Sequence, residues 1–488
     1  MSKFLSTLLL LFLAPLAVLA QNKYPIVLVH GFSGWGRDEL LGLKYWGGIQ
    51  GDLQEQLKGQ GYTVYTAAVG PFSSNWDRAC ELYAQIKGGQ VDYGLKHSTK
   101  HGHKRLGRTF TGLYPEWGNV VNGKVNKIHL IGHSMGGQTI RMLTQLLNKG
   151  SAGAPVVEDA ASNPLFTGGK DWVHSITTIS TPNQGTTLAN GFSEIGDTVK
   201  NLLAGVVSVL NLGGSTTEML YDAKLEQWGI TAKAKGESLQ TYINRVFQSA
   251  IFQPGFKDVC LWSLSTQGAA EENGWVKTLP NVYYFSYATS DTFASRDYFF
   301  RRIQLPNLLT MILPVQPTGV FMGSRYAPNN GLSTDWQEND GAVPTYSMSK
   351  DSTGELVQFN GNSQKGKWNQ MPKLDHLDHL AVVGITLHTQ VKDIYVAHAE
   401  VLKSLPLDTG ARTESFVNEI PAAAPTSEIA QLVLHARVDA AASALTTAAE
   451  KLSTAEDLVA LCATPANAYA ASYCQQMIQS MTRRRLRG

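Results

Sequence analysis

A serine, an acid and a histidine occur in this chain in an order that suits nucleophilic ester cleavage. Gly132-His133-Ser134-Met135-Gly136 sets a serine between two glycines. A serine hydroxyl is barely nucleophilic at neutral pH, so it needs a base and a carboxylate that orients the base. Far downstream, Glu338-Asn339-Asp340-Gly341 offers an acid on a polar turn. Asp375-His376-Leu377-Asp378-His379-Leu380 follows with two candidate bases. The apolar run Leu380 to Ile385 directly behind His379 favours it over His376, because a catalytic base needs a loop pinned by buried neighbours. Spacing alone leaves both histidines open. Two main-chain N–H groups should receive the developing oxyanion: that of Met135, the residue after the nucleophile, and one from a loop after an early strand. His30-Gly31-Phe32-Ser33-Gly34-Trp35-Gly36 fits the second role, with Phe32 as donor.

These groups need a frame. Lys127 to Ile131 is a short apolar strand pattern that runs into the Gly-x-Ser-x-Gly turn, and a helical apolar pattern follows from Gln138 to Leu147. Strand, tight turn and helix with serine at the apex form the nucleophile elbow of an α/β-hydrolase. The glycines keep Cβ atoms out of the turn, and the helix N-terminus favours developing negative charge. Tyr24 to Phe32 reads as a buried parallel strand entering a Gly-rich loop. Asp52 to Leu57 reads as a helix and Tyr62 to Tyr65 as a strand. Further strand patterns lie at Ile128–Ile131, Ile176–Ile179 and Val282–Ser286. The alternation predicts an α/β fold with a mostly parallel central sheet flanked by helices. No internal repeat is present.

The chain has 488 residues, 43% hydrophobic and 16% charged, with a formal net charge of +2, which argues against nucleic acid or another polyanion as partner. The basic cluster Arg483 to Arg487 reads as a solvated or processed tail. Met1-Ser2-Lys3, an apolar run from Phe4 to Ala20 and polar Gln21-Asn22-Lys23 predict a signal peptide over residues 1–20 and secretion to the extracellular space. No other segment is long and apolar enough to suggest an integral membrane span. Cys80 reads as a buried thiol, while Cys462 and Cys474 are close enough in sequence to pair in a secreted protein. Two stretches, Val199 to Leu212 and Leu305 to Met322, are either core helices or a lid over an apolar pocket. Composition shifts near Leu405, dividing the chain into a main domain (21–405), a Pro/Ala linker (406–425) and an Ala-rich helical extension (426–488).

Taken together, several motifs resemble the secreted thermoalkalophilic and staphylococcal-type bacterial lipases. They include His30 to Gly36, Lys44-Tyr45-Trp46-Gly47-Gly48, Val69-Gly70-Pro71 and Ser73 to Cys80. Val91 to Gly94, Lys100-His101-Gly102-His103 and Trp336 to Val343 belong to the same set. The resemblance runs from about Tyr24 to about Leu405. It implies an α/β-hydrolase acting on triacylglycerols at an oil–water interface, with Ser134, Asp340 and His379 as triad and Phe32 and Met135 as oxyanion donors. It also implies a helical lid around Val199 to Leu212 and zinc in an inserted subdomain, on Asp77, His97, His103 and Asp258. Two histidines and two aspartates can close a tetrahedral, structural zinc site, with His101 as a spare. The family's calcium site departs from the pattern: Ala381 and Thr386 stand where the family has carboxylates, so calcium is expected to be lost. A carboxylesterase or acyltransferase on soluble esters would use the same triad. A non-catalytic lipid-binding protein fits less well, because every triad candidate is present.

Overall fold

The structure, a computed structural model, describes residues 22–192, 194, 196–197, 220–325, 332–386 and 389–408. The signal peptide, the apolar run Val199 to Leu212, the linker from residue 409, the Ala-rich extension, and Cys462 and Cys474 lie outside the described residues.

Four successive apolar residues make up β1, Ile26–Val29, and all four are buried. A strand with this pattern needs cover on both faces, which a parallel sheet supplies. Ile26 and Leu28 point into one core layer, and Val27 and Val29 into the other. The remaining strands of the central sheet are β2 (Val64–Ala67), β3 (Ile128–His133), β4 (Val173–Ile179), β5 (Tyr283–Tyr287), β6 (Leu356–Gln358) and β7 (Trp368–Gln370). Their order is β6-β7-β5-β4-β3-β1-β2, seven strands, and every pairing is parallel. Helix α1 (Asn75–Lys87) packs with α2 (Met135–Lys149). Helix α3 (Lys392–Ser404) adds Ile394, Tyr395, Ala399 and Leu402 to the other core layer. This is the expected α/β-hydrolase architecture.

Register explains where the chemistry collects. Val29 pairs with Gly132, and Ile26 with His129. The loop after β1 therefore emerges beside the turn after β3, at the carboxyl end of the sheet, where open α/β sheets form their crevice. At the opposite end, the Asn22 amide donates to the Leu402 and Leu405 carbonyls. Asp408 pairs with Lys127 and Lys365. The start of the described chain and the segment after α3 are both tied to this edge.

The expected elements occur with shifts of a few residues, and Asp52 proves to be an N-cap, accepting from the Glu55 N–H, rather than a helical residue. Leu305 to Met322 is not one core helix. Pro314 and Pro317 break it into the end of a strand, a turn and a helix over Gln316–Gly323, whose Phe321 and Met322 are buried. Cys80 is a buried free thiol, as expected, and so is Cys260. Among the described residues no helix is long and apolar enough to cross a membrane.

Candidate active site and metal centre

Ser134 sits between β3 and α2 with φ +55° and ψ −132°, a conformation rare for a residue with a side chain. The turn tolerates it because its neighbours are glycine. A Cβ on Gly132 would overlap the main chain of Gly136, and one on Gly136 would overlap the Val29 carbonyl. Local strain of this kind costs about 1–3 kcal/mol and is held by the surrounding packing.

His379 Nε2 lies 2.8 Å from Ser134 Oγ. Its other ring nitrogen, Nδ1, lies 2.8 Å from Asp340 Oδ2. Asp340 is fully buried. Its Oδ2 also accepts from Thr289 Oγ1 at 2.7 Å, and its Oδ1 accepts from the N–H groups of Ala342 and Val343 at 3.0 and 2.8 Å. The His379 N–H donates to the Asp340 carbonyl at 2.8 Å. Main chain and side chain thus fix the two residues together. His376 is exposed, with φ +60°, and its ring contacts Asn307 at 3.3 Å. The two histidines left open by spacing are therefore well separated in role: one touches Ser134 and the other faces solvent. Glu338, the other nearby acid, pairs with Lys373 at the surface.

Neither the Phe32 N–H nor the Met135 N–H is taken by another group among the described residues. The loop that carries Phe32 is held by two side chains that sequence reasoning did not single out. The Tyr45 hydroxyl accepts from the Gly31 N–H at 3.0 Å and contacts His133 Nδ1 at 2.6 Å. Arg78 is completely buried on α1 and donates to the His30 carbonyl at 2.5 Å, the Gly70 carbonyl at 2.7 Å and Thr139 Oγ1 at 2.7 Å. Burial pushes its guanidinium down to about 10, which still leaves it charged at neutral pH. Burial, and then the neighbouring His379, hold His133 well below the ordinary histidine value, so it is neutral. Above Ser134 and His379 lies a small apolar cavity of about 60 Å³ lined by Phe32, Leu188, Phe192, Leu261 and Val343. It shares Ala189, Phe192 and Leu261 with a larger groove of about 810 Å³.

A second cluster joins Asp77, His97, His103 and Asp258, whose donor atoms all lie within 4.8 Å of one another. His97 Nε2 is 3.1 Å from Asp258 Oδ2 and 3.4 Å from Asp77 Oδ1. His103 Nε2 is 3.3 Å from Asp258 Oδ2 and 4.0 Å from Asp77 Oδ1. A tetrahedron with metal–ligand bonds of about 2 Å has edges of about 3.3 Å. Asp77 Oδ1 and His103 Nε2 are buried with no hydrogen-bond partner. Two buried carboxylates also call for positive charge. Burial opposes charge on His97, but Asp258 and Asp77 outweigh it and hold the ring up at about 9. The other donor atoms are already engaged: Gln227 donates to Asp77 Oδ2 at 3.1 Å, and His103 Nδ1 contacts the Lys104 carbonyl at 2.8 Å. That second contact leaves Nε2 with the free lone pair. The set is able to hold a metal ion. His101 lies beside His97, with ring centroids 4.6 Å apart and the planes tilted, and stays outside the set. At the expected calcium positions, Ala381 is buried against the core and Thr386 offers no carboxylate.

The profile of the lipase-like C-terminal domain family matches residues 22–403. A lipase of Staphylococcus epidermidis is 36% identical over 379 residues, covering 75% of this chain and 50% of its own length. The chain thus spans about half the length of the curated relatives it matches. Among solved structures, lipase 1 from Pelosinus fermentans is 50% identical with a TM-score of 0.70, over 79% of this chain and 99% of that one. EstA from Clostridium botulinum is 44% identical with a TM-score of 0.72, over 80% and 90%.

Proposed function

Since this chain belongs to the staphylococcal-type family of lipase-like α/β-hydrolases, we propose that it is a secreted triacylglycerol lipase working through an acyl-enzyme. The observation that carries the reading is the hydrogen-bonded sequence Ser134–His379–Asp340 opening on an apolar cavity. Ser134 Oγ attacks the ester carbonyl as His379 Nε2 takes its proton. The C–O bond to the alcohol then breaks, and His379 returns the proton to the departing oxygen. Water repeats the sequence on the acyl-enzyme and releases the fatty acid. Asp340 keeps Nδ1 protonated and stabilises the imidazolium. The N–H groups of Phe32 and Met135 hold the oxyanion.

Asp77, His97, His103 and Asp258 would hold zinc. A closed four-ligand zinc supplies structural cross-linking and no step of the reaction. The ligands join α1, the Gly94–His103 segment and the chain before Cys260, so the metal would fasten an insertion to the main domain. Calcium has no part in this proposal, given Ala381 and Thr386.

The test is turnover of emulsified long-chain triacylglycerol by the wild type and by Ser134→Ala. Loss of turnover in the variant is expected, and equal turnover would overturn the mechanism. Activity confined to short, dissolved esters would point instead to a carboxylesterase. Metal analysis of the purified protein should find about one zinc per chain; a zinc-free protein of equal heat stability would refute the metal assignment. Sequencing of the exported protein's N-terminus near Gln21 tests secretion.

A further inference from the structure

Three consecutive aromatic side chains stand in solvent at the tip of a β-hairpin. The hairpin strands are Thr292–Arg296 and Arg302–Pro306, paired from Thr292 with Pro306 to Arg296 with Arg302. Tyr298, Phe299 and Phe300 in the connecting loop are 82%, 71% and 78% exposed. An isolated exposed ring needs no explanation, but three adjacent rings on one projection do.

The loop is built to hold them. Asp297 Oδ1 accepts from the N–H groups of Phe299 and Arg301, both at 2.9 Å, and Oδ2 accepts from Arg301 Nε at 2.8 Å. Arg296 donates to the Phe300 carbonyl at 2.7 Å. The Arg301 guanidinium lies over the Phe299 ring, 5.2 Å from its centroid. Phe300 has φ +59°. Glycine or asparagine would satisfy that backbone without the roughly 1–2 kcal/mol that a bulky residue costs there. Turn chemistry therefore does not account for the phenylalanine. Along the tip, residues 295–302, Arg296, Arg301 and Arg302 stand with one acid, Asp297, an excess of positive charge in that segment.

The hairpin rises from the same edge of the sheet as Ser134. It leaves β5 through Thr289 to Asp291, and the Asp291 N–H donates to the Asn339 carbonyl beside Asp340. Its second strand packs on the Gln316–Gly323 helix, whose Phe321 and Met322 join Leu188, Ala342 and Val343 of the cavity wall. Phe293 and Leu309 add exposed apolar surface at the hairpin base.

We propose that the Tyr298-Phe299-Phe300 tip inserts into an anionic lipid surface and anchors the protein there with the Ser134 cavity at that surface. Aromatic rings favour the boundary between headgroups and acyl chains, and flanking arginines favour anionic headgroups. The value of the device to catalysis rests on the lipase reading; the binding itself does not.

The experiment is flotation with vesicles of phosphatidylcholine, with and without phosphatidylglycerol. Wild type should bind the anionic vesicles more tightly. The combined variant Tyr298→Ser, Phe299→Ser, Phe300→Asn should bind about a hundredfold more weakly, the loss expected for withdrawing three half-immersed rings. Arg302→Gln, which leaves the loop's own hydrogen bonds in place, should lose only the phosphatidylglycerol-dependent part, about fivefold. Turnover of a dissolved short-chain ester reports the fold of each variant and should not change. Phe299→Trp keeps a ring in place, and its added emission should shift to the blue with vesicles. Unchanged vesicle affinity in the combined variant, an unshifted tryptophan, or loss of self-association in place of vesicle binding would overturn the proposal. Absence of ester turnover in the wild type would overturn the lipase reading and leave the vesicle result standing.

Discussion

Tyr45→Phe removes one oxygen and tests how the oxyanion loop is held. The ring is buried between Trp35 and Trp46, with centroids 5.0 and 5.6 Å away, so phenylalanine leaves no cavity. What is lost is the hydroxyl that accepts from the Gly31 N–H and shares a hydrogen bond with His133 Nδ1. Both partners are buried. A buried polar group deprived of its partner costs about 1–3 kcal/mol, so two of them should destabilise the fold by about 2–6 kcal/mol. Gly31 precedes Phe32, whose N–H is aimed at the oxyanion in the proposed mechanism. Complete removal of one such donor lowers kcat about 10²–10³-fold. A loop that is loosened rather than lost should forfeit about tenfold in kcat, with KM nearly unchanged. The assay is urea unfolding together with steady-state kinetics on a dissolved ester. Tyr62→Phe is the control, because its hydroxyl meets Glu400 at the surface and its loss should change neither quantity measurably. A Tyr45→Phe protein with unaltered kcat and less than about 1 kcal/mol of destabilisation would refute the reasoning.

Other outcomes follow from neighbouring contacts. Thr289→Val keeps the shape but removes the hydroxyl donor to Asp340 Oδ2. Losing a hydrogen bond to a charged group should cost about 1.5–3 kcal/mol in stability and lower kcat, measured by unfolding and turnover; equal values for both proteins would show the carboxylate is held without it. Asp291 is buried, with Oδ1 accepting from Thr310 and Oδ2 without a partner, and burial pushes it up to about 8. Its folded form binds a proton that the unfolded form releases near pH 4, so this group makes stability fall as pH rises from about 4 to about 8. Asp291→Asn should flatten that fall and gain up to about 5 kcal/mol at pH 8; an undiminished slope in pH-dependent melting would refute it. Added calcium should leave the melting temperature unchanged, because Ala381 and Thr386 supply no carboxylate; a rise of several degrees would show another calcium site.

What the sequence discloses depends on how locally each feature is encoded. The elbow is legible because strand, glycines, serine and helix are contiguous, and one register, Val29 opposite Gly132, brings the other loop to it. The acid and base are legible by order; spacing alone leaves His379 and His376 open, and the apolar run behind His379 together with the family resemblance favours it, in keeping with the 2.8 Å contact of His379 with Ser134. The last two strands on one side of the sheet, Leu356–Gln358 and Trp368–Gln370, have three residues each, too few to display a period. Leu305 to Met322 misleads because an apolar run carries no mark of where a strand ends and a helix begins, apart from its prolines. The aromatic tip goes unread for the same reason: Tyr298-Phe299-Phe300 looks like core until it is seen at a turn.

The deepest omission concerns two residues that are adjacent in the chain. On α1, Asp77 faces the metal cluster while Arg78 reaches back to the His30 and Gly70 carbonyls. Trp76, Asp77 and Arg78 are contiguous in the sequence, but they do different physical work. Asp77 is a buried carboxylate in the group that could hold a metal ion. Arg78 is a buried cation that satisfies main-chain carbonyls behind Phe32. One helix therefore carries both a member of the group that could hold a metal ion and the guanidinium that holds the His30 carbonyl, two residues before Phe32. Adjacent residues on a helix point about 100° apart, so the two sets of contacts lie on different faces of α1, and the division of labour becomes visible only when both faces are packed.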